Sequence, residues 1–462
     1  EDYDYTMRWK EVERLQGEDK YAAATGVVEE ILEQAVATGN EAEWTRALIR
    51  RVQLRTALHG YETAVRILQD HPWPESPMNR AVLEIFRAHG LITYLHAYSW
   101  EIAQRELVDS DGEVDLEAWT RDQIFAEVQQ AYLRIWRSRE AWGDRGLGAL
   151  GEYVAQNSYP ARIRGTLRDA VTYSWTELLA DSSFWQARHG NQVHRLDIDA
   201  LIDGQVSSED LEHLGDPDVH PLIKISALLG DLETWHQANR RPEAAFEARR
   251  QRLLHLHDEM DQEADREVIR IALVEALDDL GSRYPWWSMG QASLAELVRQ
   301  EQVADALIRA REIADAGQTA HPDSVGGQRC RHIVASIEAP SYELSSMQSD
   351  GADRRSILIR HKNLARLYFR AYRLDLLEEI ESRQDYNLLP GYREVPEIID
   401  RQLPDAEWSV DLPETPDFAM HQTFTTPSMT APGMYVVVAS ARRSFTEKNN
   451  RIVAVNLQIG DL

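Results

Sequence analysis

The segment Ile337-Glu-Ala-Pro340-Ser-Tyr342-Glu-Leu344 separates two parts of the chain in which apolar residues recur with different periods. Before it, apolar residues return every three or four positions, as in the stretch 27–35, which is the spacing of one face of an amphipathic helix. After it, they alternate with polar residues, as they already do at Tyr342 and Leu344, which is the period of a β-strand. The sequence therefore predicts that helices give way to strands near Pro340.

The part before Pro340 is predicted to be helical. The helix over 27–35 is expected to end at Gly39-Asn40, because glycine readily takes the left-handed conformation that terminates a helix. Several predicted helices have similar lengths, short connecting turns and small residues such as Ala22 to Ala24, which is typical of tetratricopeptide-like pairs. The strict repeat consensus is not met, so an irregular helical bundle is the alternative. The other predicted helices cover 47–58, 61–68, 83–95, 163–178, 225–235, 244–257, 268–280 and 303–316.

The part after Pro340 is predicted to be an antiparallel β-sandwich. Seven of the 17 prolines lie within 390–432, and proline favours loops and strand edges over helix interiors. Short alternating runs separated by Pro, Gly and Asp are typical of such a sandwich. The run 451–459 is expected to form its final, edge strand. The other predicted strands cover 342–346, 357–361, 367–372, 408–410, 420–425 and 433–438.

These patterns predict an α+β multidomain chain in three parts. Residues 1–110 are expected to form tetratricopeptide-like helical hairpins, residues 111–335 to continue the α-helical region, and residues 336–462 to form the β-sandwich. Because the last predicted strand has no closing turn after it, we expect the sandwich to be truncated at its C-terminal edge. The chain is then expected to be an excised N-terminal part of a longer protein.

The composition argues against several classes of function. The 462 residues include 50 Lys and Arg against 77 Asp and Glu, a formal net charge of −27 at pH 7. Binding to nucleic acid or to an anionic membrane surface needs clustered cations, so neither is expected. The apolar stretch Met434–Ala439 is far shorter than the ~20 residues of a spanning helix. The single cysteine, Cys330, allows neither an intrachain disulfide nor a cysteine-based zinc site, and only five of the 50 cations are lysine.

Histidine and acidic residues near position 258 form a weak metal-binding pattern. His255 and Glu259 are one helical turn apart, but the sequence places no third ligand beside them. The run from Asp258 to Asp265 does not have the spacing of acidic boxes that bind metal diphosphates. A solvated helix face is the favoured interpretation of both features.

Two further acidic segments are similar to calcium loops but do not fit. The segments Asp199–Gly204 and Asp109–Gly112 both depart from the EF-hand pattern of carboxylates at positions 1, 3 and 5, glycine at 6 and glutamate at 12. Helix N-capping by Asp115 and Ser208 explains the composition better. The sequence therefore predicts no metal and no cofactor.

No motif marks a catalytic nucleophile. The patterns GxGxxG, Walker A, HExxH and GxSxG are absent. Cys330 has a histidine close in sequence, but adjacent helical residues do not share a face, so we interpret it as a buried structural cysteine. We interpret Trp286-Trp287 as wedged between helices rather than exposed as a binding platform, and Tyr153, Tyr159 and Trp175 as core. No catalytic, cofactor-binding or metal-binding residue is therefore predicted.

Three groups of segments resemble a known family. Together they look like the N-terminal region of large bacterial alpha-2-macroglobulin-like proteins, which carry a helical extension before their first macroglobulin domains. The resemblance spans residues 5–462 and rests on packing motifs rather than catalytic ones. The segments that carry it are Leu116–Ile124 with Tyr132-Leu133, Ile163–Val171, and a third group made of His321–Ser324, Gly327–Cys330, Ile337–Leu344 and His361–Arg370.

The resemblance implies a macroglobulin-like sandwich at 336–462 and a role in protease trapping. Members of the family are cut in a bait segment, collapse around the protease, and in many cases bind it through a Cys-Gly-Glu-Gln thioester. Cys330 is followed here by Arg331-His332-Ile333, so no thioester or bait function is carried onto this sequence. Bacterial relatives are typically exported, often with a lipid anchor, which implies a periplasmic or cell-surface location.

We therefore expect a non-enzymatic scaffold or interaction region of a protease-trapping protein. Its expected partners are proteases or other cell-envelope proteins, bound through the full-length parent, and it would meet a membrane only through an anchor outside this chain. One alternative is a helical-solenoid enzyme that acts on cell-wall peptidoglycan, which would need a carboxyl with a raised pKa in an apolar cleft. A pure protein–protein adaptor is the other.

Overall fold

The computed structural model divides the chain into two compact units, Glu1–Gly281 and Ser282–Leu462. It describes residues 3–106, 116–151, 153, 158–204, 213–346, 350–351, 356–375, 377, 381, 389–391, 393–445 and 450–460.

The first unit is built from helices in its described residues. Helices that follow one another in the chain pack side by side, so that short turns return the chain antiparallel. The longer helices are α1 (Tyr5–Gly17), α2 (Tyr21–Thr38), α3 (Glu41–Ala57), α4 (Tyr61–Asp70), α5 (Pro77–Ala97), α7 (Arg121–Arg137), α10 (Leu167–Ala180), α13 (Pro221–Ala238), α14 (Pro242–Glu259) and α15 (Glu263–Leu280). Between them lie the short helices α6 (Ser99–Ile102), α8 (Arg139–Trp142), α9 (Ala161–Arg164), α11 (Ala187–Gly190) and α12 (Ile198–Asp203).

The predicted helix end at Gly39-Asn40 is confirmed. Gly39 has a φ of +67°, and its backbone N–H donates to carbonyls of the last turn of α2. The side-chain oxygen of Asn40 then accepts a hydrogen bond from the N–H of Glu43 at 3.3 Å and caps α3. One dipeptide therefore ends one helix and begins the next.

The single helix predicted over 163–178 is wrong, because the chain forms α9 and α10 with a break between them. Thr166 caps α10: its hydroxyl accepts from the N–H of Asp169 at 3.2 Å, and the Asp169 carboxylate accepts from the N–H of Thr166 at 2.9 Å. A β-carbon on Gly165 would lie 1.8 Å from the carbonyl oxygen of Ala161. The apolar stripe continues across the break, which is why periodicity alone did not reveal it.

The second unit begins with three helices that pack against one another, namely α16 (Trp287–Arg299), α17 (Ala306–Ala320) and α18 (Val325–Glu338). Strands follow, and the first begins at Ser341, so the predicted change from helix to strand near Pro340 is confirmed. The two compact units divide earlier, after Gly281. Lys362, the last residue of the third strand, and Asn363, which follows it, each donate to the carbonyl oxygen of Ile337 at 3.0 Å and so tie α18 to the sheets.

The strands form two sheets, antiparallel except for one two-residue pairing. One sheet has the strand order β1-β3-β6, and the other has the order β2-β8-β7-β4-β5, in which the short β2 runs parallel to β8. The strands are β1 (Ser341–Ser346), β2 (Asp350–Gly351), β3 (Ile357–Lys362), β4 (Arg366–Leu374), β5 (Ala406–Asp411), β6 (His421–Thr425), β7 (Gly433–Ser440) and β8 (Ile452–Gly460).

The two sheets share one hydrophobic core. Ile357 and Ile359 from the three-stranded sheet meet Phe369, Val437 and Leu457 from the five-stranded sheet, and all five side chains are buried. Every second residue of a strand faces this core, which explains the period-two pattern of the sequence.

The other face of the five-stranded sheet is also covered. Helix α19 (Val395–Arg401), which lies between β4 and β5 in the chain, packs Val395 with Val436 and Val438 of β7. Because both faces of β7 are buried, its sequence is continuously apolar rather than alternating. The last strand, β8, does not end its sheet: β2 pairs with its final residues, Ile459 and Gly460.

No described helix is long and apolar enough to cross a lipid bilayer.

Candidate functional site

The histidine and acidic residues near position 258 form no ligand cluster among the described residues, and the solvated helix face that the sequence favoured is wrong for His257, which is buried. Burial, assisted by nearby arginine charges, lowers the pKa of both His255 and His257 to about 4. Burial also raises the pKa of Asp258 and of Glu259. Within the described ranges, no three His, Cys, Asp or Glu side chains converge where they would hold a metal ion.

The lowered pKa of His257 makes stability depend on pH. Its ring is 2% exposed, and one ring nitrogen, Nε2, has no hydrogen-bond partner. Below about pH 6.5 an unfolded histidine binds a proton, whereas the folded ring stays neutral until the pH approaches 4. Because the unfolded chain binds this proton more readily, the free energy of unfolding is highest above pH 6.5 and decreases as the pH falls from 6.5 toward 4.

We expect His257→Leu to reduce this pH dependence. Between pH 6.5 and 5, the slope of the unfolding free energy should become shallower by up to about 1.4 kcal/mol per pH unit, as measured by urea unfolding at several pH values. His332→Gln, which replaces an exposed histidine, is the matched control and should leave the slope unchanged. An unchanged slope in His257→Leu would contradict the prediction.

The acidic segment Asp199–Gly204 belongs to a short helix and its end rather than to a calcium loop. Asp197 caps α12 by accepting from the N–H of Ala200 at 3.2 Å, and Gly204 ends that helix with a φ of +58°. The second acidic segment, Asp109–Gly112, and the predicted caps Asp115 and Ser208 lie outside the described residues.

Cys330 and the aromatic residues predicted to lie in the core are buried to different extents. Cys330 is fully buried, its thiol donates to the carbonyl oxygen of Ser288, and burial raises its pKa to about 12, so the structural interpretation is confirmed. Trp286 is 2% exposed and Trp175 is fully buried, as predicted, whereas Tyr153 and Tyr159 are only half-buried.

The first unit contains a buried ion cluster that the sequence did not reveal. Glu247 is fully buried; its Oε1 accepts from Arg164 Nη2 at 2.6 Å, and its Oε2 accepts from Arg250 Nε at 2.8 Å. Nearby, the carboxylate of Asp169 lies 2.7 Å from Nε2 of His236, and both side chains are 1% exposed. The Glu247 and Asp169 carboxylates are satisfied by these partners, and removing one partner would leave a buried charge uncompensated, so we interpret the cluster as structural.

A pocket elsewhere in the first unit does present unpartnered polar groups. Its apolar walls come mainly from α7, α10 and the turns around 184 and 217. Phe125 and Phe184 stack with ring centroids 4.8 Å apart and planes 6° apart, while the exposed Asp122 lies at the rim. The lining residues are Asp122, Phe125, Ala126, Gln129, Leu179, Phe184, Gln186, His189, Gly215, Pro217, Val219, Pro221 and Lys224.

Lys224 reaches this pocket because the helix that carries it is buried almost all round. Pro221 occupies the first turn of α13, and the ring of His220 accepts from the N–H of Leu222 at 3.1 Å to cap the helix. Lys224 follows one turn later and is 5% exposed. Among the described residues, its ammonium group has no hydrogen bond and no carboxylate within 4 Å. Burial lowers its pKa to about 8, and the charge of Asp216 opposes this shift.

Two more buried polar side chains line the pocket with unsatisfied atoms. His189 is 5% exposed, and neither ring nitrogen makes a hydrogen bond to a described residue. Burial lowers its pKa, the charges of Arg188 and Lys224 lower it further, and the nearby carbonyl of Pro217 opposes the shift. The oxygen of the Gln129 amide accepts from Trp175 Nε1 at 2.8 Å, which leaves its buried Nε2 without a partner. Lys224, Gln129 and His189 therefore bring an ammonium, an amide N–H and an imidazole to an otherwise apolar lining, and the polar atoms of Gln129 and His189 lie just beneath its surface.

The pattern of the sequence does not reveal this pocket, although the sequence carries one signal for it. Lys224 is one of only five lysines and stands inside Pro221-Leu-Ile-Lys-Ile-Ser-Ala-Leu-Leu-Gly230, where no helix face is polar. A lysine in such a stretch must lie in the interior. Because burying its charge costs free energy, its presence there indicates a binding or functional site.

No family model, curated protein or solved structure matches the chain.

Proposed function

We propose that this chain is the non-catalytic scaffold at the N-terminal end of a bacterial alpha-2-macroglobulin-like protease-trapping protein. In this proposal the helices form a tetratricopeptide-like array, the two sheets form a macroglobulin-like domain, and the parent protein acts in the periplasm or at the cell surface. Proteases and other cell-envelope proteins are its partners.

The order of the elements carries the proposal. Packed antiparallel helices precede a module in which two sheets share one core, which is the arrangement that the resemblance implies. Buried alanines such as Ala24, Ala35 and Ala47 let α2 and α3 approach closely, as helices of a tetratricopeptide-like pair do. An array of this kind offers a long surface to protein partners.

The ion pairs formed by the buried carboxylates favour a scaffold over a peptidoglycan-cleaving enzyme. A general acid for glycan cleavage needs a protonated carboxyl facing its substrate. Instead, Glu84 pairs with Arg134 at 2.6 Å, and Asp169 and Glu247 are engaged in the pairs already described. Asp258 and Glu259 have raised pKa values but do not line the pocket around Lys224.

Protease trapping is tested by incubating the parent protein with a broad-specificity protease. We expect the parent to be cut at one region, to become more compact, and to shield the protease from a protein substrate while a small chromogenic peptide is still cleaved. Parent incubated with active-site-blocked protease is the control and should remain extended. Equal cleavage of large and small substrates would reject the trap. Retrieval of an envelope protein by the chain without any shielding would instead assign it to the adaptors.

A further inference from the structure

We propose that the pocket around Lys224 binds a small monocarboxylate with an apolar body. Three side chains that are at least nine-tenths buried, Lys224, His189 and Gln129, line this pocket, and among the described residues the Lys224 ammonium, the His189 ring nitrogens and the Gln129 Nε2 have no hydrogen-bond partner. This inference stands independently of the proposed trapping function, because it rests on the first unit alone.

The charge balance of the pocket calls for an anion. A buried ammonium is stabilised only when an opposite charge or several acceptors face it, and Lys224 has neither within bonding distance among the described residues. A carboxylate can neutralise the Lys224 ammonium with one oxygen and accept from a further donor with the other, and Gln129 and His189 line the same pocket.

The same balance favours a single negative charge over a phosphate or a dicarboxylate. Two neighbouring arginines already have partners. Arg188 forms an ion pair with Asp218, and Arg121 lies over the ring of Phe184 with its guanidinium carbon 5.5 Å from the ring centroid. Asp122 at the rim adds a negative charge that repels a second anionic group. The charge of Asp216 acts on Lys224 only from beyond 4 Å, so Lys224 is the cation that a ligand would contact and neutralise.

The apolar side chains that line the pocket indicate the shape and polarity of the rest of the ligand. The stacked rings of Phe125 and Phe184, with Leu179, Val219 and Pro221, give a flat apolar surface that suits an aromatic ring or a branched alkyl group. Both a free carboxylic acid and the C-terminus of a peptide that ends in an apolar residue have this chemistry.

Calorimetric titration of the chain tests the proposal with two matched ligand pairs. Benzoate represents the free acid, and benzamide is its neutral isostere. N-acetylphenylalanine represents a peptide terminus, and its amide is the neutral counterpart. We expect at least one carboxylate to bind at least tenfold more tightly than its amide, and the pair that shows this identifies the source of the ligand.

Two variants assign the binding to this pocket. Lys224→Met keeps the length of the side chain and removes its charge, and should weaken carboxylate binding at least tenfold; Lys10→Met, at an exposed position, should leave it unchanged. Ala126→Trp fills the pocket from an exposed position of α7 and should abolish binding even if Lys224→Met folds poorly. Equal affinity for a carboxylate and its amide would overturn the proposal, and so would the absence of carboxylate binding at 20 mM. Carboxylate binding by Ala126→Trp with the affinity of the unmodified chain would overturn it as well.

Discussion

Replacing Glu247 by glutamine is expected to lower the free energy of unfolding of the helical unit by about 3–5 kcal/mol, the cost of breaking a buried ion pair by removing one partner. Glutamine keeps the shape of the side chain but cannot neutralise Arg164 and Arg250, which are 8% and 2% exposed. The guanidinium carbon of Arg164 also lies 3.7 Å from the centroid of the Tyr173 ring, so a turn of this side chain toward water would break that packing.

Glu243 provides the matched control, one turn earlier on the same helix. It pairs with Arg162 at 3.0 Å, but the side chain of Arg162 is 54% exposed. Glu243→Gln should therefore cost less than about 1 kcal/mol. Urea unfolding followed by circular dichroism at 222 nm measures both variants, and equal losses of stability would mean that burial does not govern the strength of these pairs.

Replacing Phe369 by alanine is expected to destabilise the β module by about 3–5 kcal/mol through loss of buried area and the cavity that remains. Phe369 is 1% exposed in the core shared by the two sheets, and its ring stacks on Trp408 with centroids 5.1 Å apart. Truncation removes this stacking and leaves both sheets without the side chain that fills the space between them.

Phe424→Ala is the control for this truncation, because Phe424 lies on β6 of the same module but is 65% exposed. We expect it to change the stability by less than about 0.5 kcal/mol. In differential scanning calorimetry, the transition of the second unit should shift down by about 10 °C in Phe369→Ala and stay in place in Phe424→Ala. A shift of the first unit's transition in Phe369→Ala would show that the two units unfold together.

Local features of the chain were predictable because they depend on neighbours in sequence. The helix end at Gly39 needs only a residue that tolerates positive φ, and the change at Pro340 follows from a change of apolar period. Helix α19 and strand β2 were not predicted, because α19 is a short element in a proline-rich segment and β2 is two residues long. Their existence depends on the sheet that they pack against or pair with.

The pocket around Lys224 was not predictable from any one segment. Gln129, His189 and Lys224 lie on α7, α11 and α13, and they meet only after these helices have packed. The pattern of the segment 221–230 shows that a lysine must be buried, but it does not show what surrounds that lysine. The same applies to Glu247, whose partner Arg164 is 83 residues away.

The amino-acid sequence by itself determined that a helix ends at Gly39, that strands replace helices near Pro340, and that Cys330 would be buried. Each of these follows from backbone sterics and from the spacing of apolar residues along a short stretch. The tertiary structure alone decided which buried charges are neutralised, as at Glu247, and which are left open to a ligand, as at Lys224. That choice depends on which side chains long-range packing brings within a few ångströms of the charge, because a charge removed from water can be stabilised only by groups that touch it.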